Sequence, residues 1–196
     1  MSETYYVKTF GGLEITNDNV TVNIVELFGK QLVNLLQVLL FHSEKPVQKD
    51  ELIDILWPES KNPSSALKFS IFRLRSELNE IDFFKDKEVI VTTRKGYILN
   101  PNLDWNIDFV ELQKAYNQIN EGAELLDEKE FKIARKIFRL YQGRFYASPS
   151  QLHWILQKQE VFRQMYVKTM MRTSCYLYTQ KRYDEMMLMN YQAVLI

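Results

Sequence analysis

The side chains with the clearest chemical potential lie between positions 63 and 95. This stretch alternates a leucine- and isoleucine-rich stripe with basic, hydroxyl and aromatic side chains. Arginine and lysine can pair with phosphates or guanine edges, and serine can form hydrogen bonds with phosphates or base edges. An aromatic edge can contact a thymine methyl. The pattern therefore predicts contact with nucleic acid, through Ser64, Ser65, Lys68, Phe69, Phe72, Arg73 and Arg75 in one segment and Arg94 and Lys95 in another.

Catalytic and metal-binding chemistry finds little support in the rest of the chain. The two histidines, His42 and His153, are far apart, and Cys175 is the single cysteine, so no paired zinc-ligand motif forms. None of the six glycines belongs to a phosphate-binding loop. We favour a packed helical position for Cys175 and His153 over a nucleophile pair. The sequence predicts no enzyme activity, no cofactor and no metal site.

Composition narrows the class of protein further. The 196 residues carry 25 Lys and Arg against 25 Asp and Glu, and 46% are apolar, which is enough for one large or two small folded domains. A zero net charge argues against a polybasic coat protein or a disordered linker, but it leaves room for a local basic patch. The single cysteine, the absence of an N-terminal apolar signal and the short apolar runs predict a cytoplasmic protein with no membrane contact.

The candidate residues belong to a first half of mixed α and β pattern. Three β-rich segments come first and an amphipathic helix follows, with leucines at 32, 35, 36, 39 and 40. A second helix begins near Lys49 and stops at Pro58. Asn62 and Pro63 start a third helix, which is predicted over 63–80. The segments 89–93 and 97–99 flank a tight turn and predict a β-hairpin with a basic tip.

The second half is almost wholly helical in pattern. Asn100-Pro101-Asn102 breaks the preceding pattern and marks the predicted boundary between domains 1–101 and 102–196. Helices are predicted from Asp108 to about Asn120, from Glu128 to about Tyr141, from 148–150 to about Gln180, and over 183–196. The last helix ends on an uncapped apolar run, so we expect either an N-terminal fragment of a longer protein or a helix that needs a partner surface.

Several motifs of the first half resemble the OmpR/PhoB-type winged helix-turn-helix. The run Leu67–Leu78 is similar to that family's recognition helix, and Thr92–Leu99, with its Gly-Tyr pair, is similar to its wing. Phe72 departs from the family pattern, in which a basic residue is common. The resemblance implies base contacts from Ser65, Lys68, Phe69 and Ser70, and phosphate contacts from Arg73, Arg75 and the wing.

The Leu56-Trp57-Pro58 ending and the domain order resemble regulators of the SARP type. In these proteins a bacterial transcriptional activator domain, built from tetratricopeptide-like helix pairs, follows the winged helix. The segment from Ile107, the run Tyr141–Phe145 and Trp154 are similar to that domain. The resemblance implies an α+β winged helix followed by an all-α tetratricopeptide-like domain.

By that resemblance the chain is a transcriptional regulator that binds promoter DNA and activates transcription. Its partners would be double-stranded DNA, RNA polymerase and a second copy of the chain bound to a direct repeat. The alternative is a signalling or scaffold protein whose winged helix and helical repeats bind proteins. The charges leave both open, since residues 1–101 have a net charge of −2 and residues 63–96 a net charge of +2.

Overall fold

The computed structural model describes residues 3–119, 125–147 and 152–194. The chain divides into two compact units, the first of Met1–Tyr6 and Glu14–Trp105 and the second of Val7–Leu13 and Asn106–Ile196. The boundary between 1–101 and 102–196 stays a prediction, and the division between the two units also assigns an N-terminal segment to the second unit. Nothing in the local pattern of 7–13 distinguishes it from its neighbours, so the sequence could not indicate this exchange.

The strands and helices follow one another along the chain in a mixed half and a helical half. In order they are β1 (Thr4–Lys8), β2 (Glu14–Asn17), β3 (Val20–Asn23), α1 (Ile24–Leu27), α2 (Lys30–Phe41), α3 (Lys49–Leu56), α4 (Pro63–Asn79), a 3-10 turn (Asp82–Phe84), β4 (Ile90–Thr92), β5 (Tyr97–Leu99), β6 (Asp104–Ile107), α5 (Asp108–Tyr116), α6 (Glu128–Leu140), α7 (His153–Thr179) and α8 (Tyr183–Val194).

One sheet has the strand order β3-β2-β1-β6. β2 and β3 pair antiparallel, with Asn17 opposite Val20 across a two-residue turn. Asp18 takes a φ of 51° in this turn. Aspartate tolerates the left-handed region better than most residues, so the Asn-Asp-Asn run makes a tight hairpin possible. The alternation of Val20, Val22 and Ile24 predicts a third strand that includes Ile24, but β3 ends at Asn23, whose side chain caps the short helix α1.

α2 is the central helix of the first unit. Its residues Leu32–Leu40 are buried without interruption, so the helix is covered on all sides rather than along one stripe. α3 and α4 pack against it and against each other. α3 and α4 are the helix-turn-helix pair, α2 packs against both, and α4 lies at the surface of the unit.

α4 starts where the sequence predicts. The Asn62 side chain accepts a hydrogen bond from the Ser65 backbone N–H at 3.4 Å, and Pro63 occupies the first turn. Both features suit a helix start, because the first turn has free N–H groups and proline lacks one. The buried face consists of Leu67, Ser70, Ile71, Leu74 and Leu78.

The hairpin β4–β5 completes the winged helix. The strands pair antiparallel from Ile90 opposite Leu99 to Thr92 opposite Tyr97. Val47, which precedes α3, adds a further bridge by exchanging two backbone hydrogen bonds with Tyr97 at 2.8 and 3.0 Å. The hairpin is therefore anchored to the start of the helix-turn-helix.

The second unit packs its helices around aromatic side chains. Phe10 and Phe162 meet edge to face at 5.3 Å, and Phe145 lies 4.9 Å from Phe162. At the start of α6 a capping box joins Asp127 and Glu130, as their spacing favours. Residues 148–150, which were predicted to start the long helix, lie outside the described residues.

A partly buried carboxylate explains why the segment 7–13 belongs to this unit. Asp108, at the first position of α5, accepts hydrogen bonds from the backbone N–H groups of Thr9 and Phe10 at 2.7 and 3.1 Å, and from that of Phe109 at 2.7 Å. The Thr9 hydroxyl donates another. Burial raises the pKa of Asp108, while these donors act in the opposite direction. The predicted fold class, a winged helix-turn-helix followed by a helical region, is confirmed.

Candidate nucleic-acid interface

The outer face of α4 carries most of the side chains that the sequence singled out. The exposed positions of α4 are three or four residues apart or lie next to such positions, so they share one face of the helix. The buried stripe beginning at Leu67 turns the opposite face outward. The exposed candidates on this face are Ser64, Ser65, Lys68, Phe69, Phe72 and Arg73, and Ser76 continues the face by one more turn.

Two large apolar side chains stand in the middle of this polar face. Phe69 is 62% exposed and Phe72 is 70% exposed. Being three positions apart, they are neighbours on the helix surface. An aromatic pair in this position offers apolar contact area to whatever α4 binds.

Arg73 is held only loosely. Its Nη2 lies 3.0 Å from Glu77 Oε1, and the two side chains are 51% and 37% exposed. An exposed pair of this kind contributes about 0.5 kcal/mol or less. Because the pair is weak and accessible, a phosphate could replace Glu77 as the partner of this guanidinium.

Arg75 has a different environment from its neighbour. Its Nε and Nη2 donate to the Ile90 carbonyl at 3.0 and 2.8 Å, and Nη2 also donates to the Thr92 hydroxyl at 2.8 Å. These bonds tie α4 to the first strand of the hairpin. This role could not be predicted from the sequence, because the partner carbonyl is a backbone group 15 residues away.

Ser70 does not belong to the exposed face. The side chain is 7% exposed and lies on the buried face of α4 with Leu67, Ile71 and Leu74. The resemblance placed it among the base-contacting residues, but α4 presents the opposite face to solvent. We therefore leave Ser70 out of the candidate interface.

The tip of the hairpin carries the remaining two candidates, Arg94 and Lys95, both of which are exposed. The Thr93 hydroxyl accepts from the Lys95 and Gly96 N–H groups at 3.2 Å and so shapes the turn. Gly96 has a φ of 148°, and a Cβ there would lie 1.8 Å from the Val47 carbonyl oxygen. Only glycine allows this close approach, which fixes the tip relative to the helix-turn-helix.

The helical unit has a groove of its own. A cavity of about 790 Å³ is lined by residues of α6, α7 and α8, which include the aromatic side chains Phe131, Phe138 and Tyr166. Three exposed cations of α6 line one side, at Lys132, Arg135 and Arg139. Among residues 3–119, 125–147 and 152–194, no group of three or more His, Cys, Asp or Glu could hold a metal ion. The same residues include no helix that is long and apolar enough to cross a membrane.

The fold of the first unit is that of a winged helix-turn-helix, and α4 presents its exposed face where the second helix of such a module stands. The family Transcriptional regulatory protein, C terminal, matches residues 25–99, which is the span from α1 to the end of the hairpin. The first unit is thus a winged helix of the OmpR/PhoB type, as the sequence motifs predicted. This family consists of transcriptional regulators rather than enzymes.

Among solved structures, the chain is similar to Mycobacterium tuberculosis EmbR in complex with a low-affinity phosphopeptide. The identity is 16% and the TM-score 0.63 over 93% of this chain, so the likeness concerns the fold, a winged helix followed by helices. This chain spans about half of the EmbR chain, 47%. The DNA-binding domain of E. coli CadC also matches, with 25% identity over 50% of this chain, 94% of that chain and a TM-score of 0.37. Comparison with curated proteins gives no match.

Proposed function

We propose that this chain is a sequence-specific, promoter-binding regulator that contacts DNA through α4 and the hairpin β4–β5. The observation that carries the proposal is the outward face of α4, where cationic, hydroxyl and aromatic side chains lie together on a helix of a family of transcriptional regulators. In helix-turn-helix proteins the second helix of the pair enters the major groove. α4 holds that position here.

The exposed side chains divide between two kinds of contact. Ser64 and Ser65 lie in the first turn of α4, where hydroxyls and free N–H groups can meet a phosphate. Lys68, one turn further along, is positioned to reach a base edge in the groove. Arg73 would exchange Glu77 for a phosphate, and Arg94 and Lys95 would contact the adjacent backbone or minor groove.

Arg75 supports binding indirectly in this proposal. Because its guanidinium is engaged with Ile90 and Thr92, it keeps the hairpin beside α4 rather than meeting a phosphate itself. We therefore revise the expected role of Arg75 from a phosphate contact to a positioning residue.

The finer expectations follow from the resemblance to SARP-type regulators. We propose that the chain activates transcription in the cytoplasm, that two copies bind a direct repeat, and that the helical unit contacts RNA polymerase or the second copy. The fold likeness to EmbR supports the domain order of this type. The tetratricopeptide-like character of residues 102–196 stays a prediction.

The salt dependence of binding tests the proposal. Four exposed cations, Lys68, Arg73, Arg94 and Lys95, are available for phosphates or bases. If each neutralises about one phosphate, the logarithm of the affinity falls with the logarithm of salt with a slope of about −3 to −4 per copy. The measurement is fluorescence anisotropy with duplexes enriched from a random pool, between about 50 and 200 mM salt.

Two variants separate the contact types in the same assay. Arg73→Ala is expected to weaken binding to all sequences and to reduce the slope by about one, while Lys68→Ala changes the preferred sequence. Lys132→Ala, which removes an exposed cation from the second unit, is the charge-matched control and keeps the wild-type slope. If no duplex is enriched and the binding has no salt slope, DNA is not the ligand.

A protein-binding function is the second candidate, and the surface of α8 is the observation that favours it. Met187, Leu188 and Tyr191 are all more than half exposed. Exposed apolar residues that cluster on one helix mark a surface for another protein segment. Protein binding of this kind would use the second unit, and it would leave unchanged the salt dependence of the DNA affinity proposed for α4.

A further inference from the structure

The aromatic pair on α4 invites a more specific assignment than general DNA contact. Phe69 and Phe72 are the most apolar part of an otherwise polar face, and both rings are mostly exposed. Within the described residues, neither ring packs against another aromatic ring or lies under a cation. Folding therefore leaves the contact area of both rings available.

The cations of α4 offer limited base recognition. Arg75 is committed to Ile90 and Thr92, and Arg73 has Glu77 as its partner on the same helix face. Lys68 is the one α4 cation with neither a hydrogen bond nor an ion pair among the described residues. Since arginine paired with guanine is the commonest specific contact, a helix whose two arginines are engaged leaves base discrimination to Lys68 and to the other exposed side chains beside it.

Thymine has the only apolar group on a base edge in the major groove, its C5-methyl. Phe69 and Phe72 are separated by about 4.5 Å along the helix axis, from a rise of 1.5 Å per residue. That distance is close to the spacing of successive bases along one strand, about 3.4 Å. The two rings can thus cover methyl groups on neighbouring base pairs.

We propose that Phe69 and Phe72 recognise the C5-methyl groups of thymines on neighbouring base pairs, so that the preferred site carries such thymines where it faces α4. This inference rests on the DNA-binding function proposed above and names the feature of the DNA that the same site recognises. Each methyl group that a ring removes from water is worth about a fourfold change in affinity.

The test compares thymine with deoxyuridine, which lacks only the methyl group and pairs identically with adenine. In a duplex enriched from the random pool, each thymine is replaced singly by deoxyuridine, and the affinity of the full chain is measured by anisotropy. We expect about a fourfold loss at two neighbouring positions, and about a fifteenfold loss when both are replaced. Replacements elsewhere leave the affinity unchanged.

Alanine variants connect the methyl groups to the rings. With Phe72→Ala, deoxyuridine and thymine should bind equally at one of the two positions, and with Phe69→Ala at the other. Both residues are exposed and alanine favours helix, so these variants retain the fold. Tyr6→Ala removes an aromatic side chain of similar exposure, 53%, from the same unit and should preserve the full deoxyuridine effect.

The outcomes separate this inference from the function on which it rests. A duplex that is enriched and bound with a salt slope, but that tolerates deoxyuridine at every position, overturns the methyl recognition and leaves the DNA-binding function standing. A deoxyuridine effect that persists in both alanine variants also overturns it. Failure to enrich any duplex overturns both proposals.

Discussion

In the second unit, Phe10, Phe145 and Phe162 are fully buried, whereas in the first unit Phe69 and Phe72 are mostly exposed. The buried rings meet one another at centroid distances of 4.9 to 5.9 Å. The exposed rings stand among serine, lysine and arginine on one helix face. The same residue type thus stabilises one unit and is free to contact a ligand in the other.

This contrast shows that burial, rather than residue type, decides what an aromatic side chain contributes. A ring that is buried in both the free and the bound protein contributes to folding alone. A ring that is exposed in the free protein contributes to binding when a partner covers it. Function in this chain should therefore be sought where apolar residues stay outside the core.

The strongest test of the contrast is the same substitution made in both units. Phe162→Ala should reduce the free energy of unfolding by about 3–5 kcal/mol, because it leaves a cavity among packed rings. Phe72→Ala, the matched variant, should change it by less than about 0.5 kcal/mol, as is usual for surface positions. Both are measured by urea denaturation followed by circular dichroism. A large loss with Phe72→Ala would show that its ring is part of the folding core.

The position of the hairpin β4–β5 depends on one internal contact, the close approach of Gly96 to the Val47 carbonyl. Replacing Gly96 with alanine puts a Cβ against the Val47 carbonyl at a φ that L-residues rarely adopt, so we expect a loss of about 3 kcal/mol or more in stability. The hairpin would shift away from α3, and DNA affinity would fall with it.

Gly12→Ala provides the control for Gly96→Ala, because a Cβ at Gly12 meets nothing within 4 Å. Thermal unfolding of the two variants should separate them by more than about 4 °C. Equal melting temperatures would contradict the tight approach of Gly96 to Val47.

Local signals explain how much of this could be predicted from the sequence. The Asn62-Pro63 start, the leucine spacing and the Arg-Lys-Gly turn are short-range features, and they placed α4 and the hairpin correctly. The family motifs did the same for the fold class. Each of these signals acts over a few residues, within which sequence periodicity is informative.

Long-range partners could not be predicted in the same way. The attachment of Thr9 to Asp108 spans 99 positions, and the bonds from Arg75 to the hairpin depend on a backbone carbonyl, which has no sequence signature. The burial of Ser70 was missed for another reason. The resemblance assigned contacts by motif position, whereas the neighbouring Ile71 and Leu67 determine which way that side of the helix turns.

Arg75 provides the smallest but most discriminating test, because it lies in the outward-facing region and yet forms internal bonds. Arg75→Ala removes the donors to Ile90 and Thr92, and we expect a loss of about 1–3 kcal/mol in unfolding free energy, as for hydrogen bonds that involve a charged group. Arg73→Ala, two positions away, should cost less than about 0.5 kcal/mol in unfolding free energy, since its only described ion pair is exposed.

The two variants should also differ in how they affect DNA binding. Arg73→Ala lowers the salt slope by about one, whereas Arg75→Ala weakens affinity and keeps the slope, because its charge does not meet a phosphate. A reduced slope with Arg75→Ala would return that residue to the phosphate-contacting group.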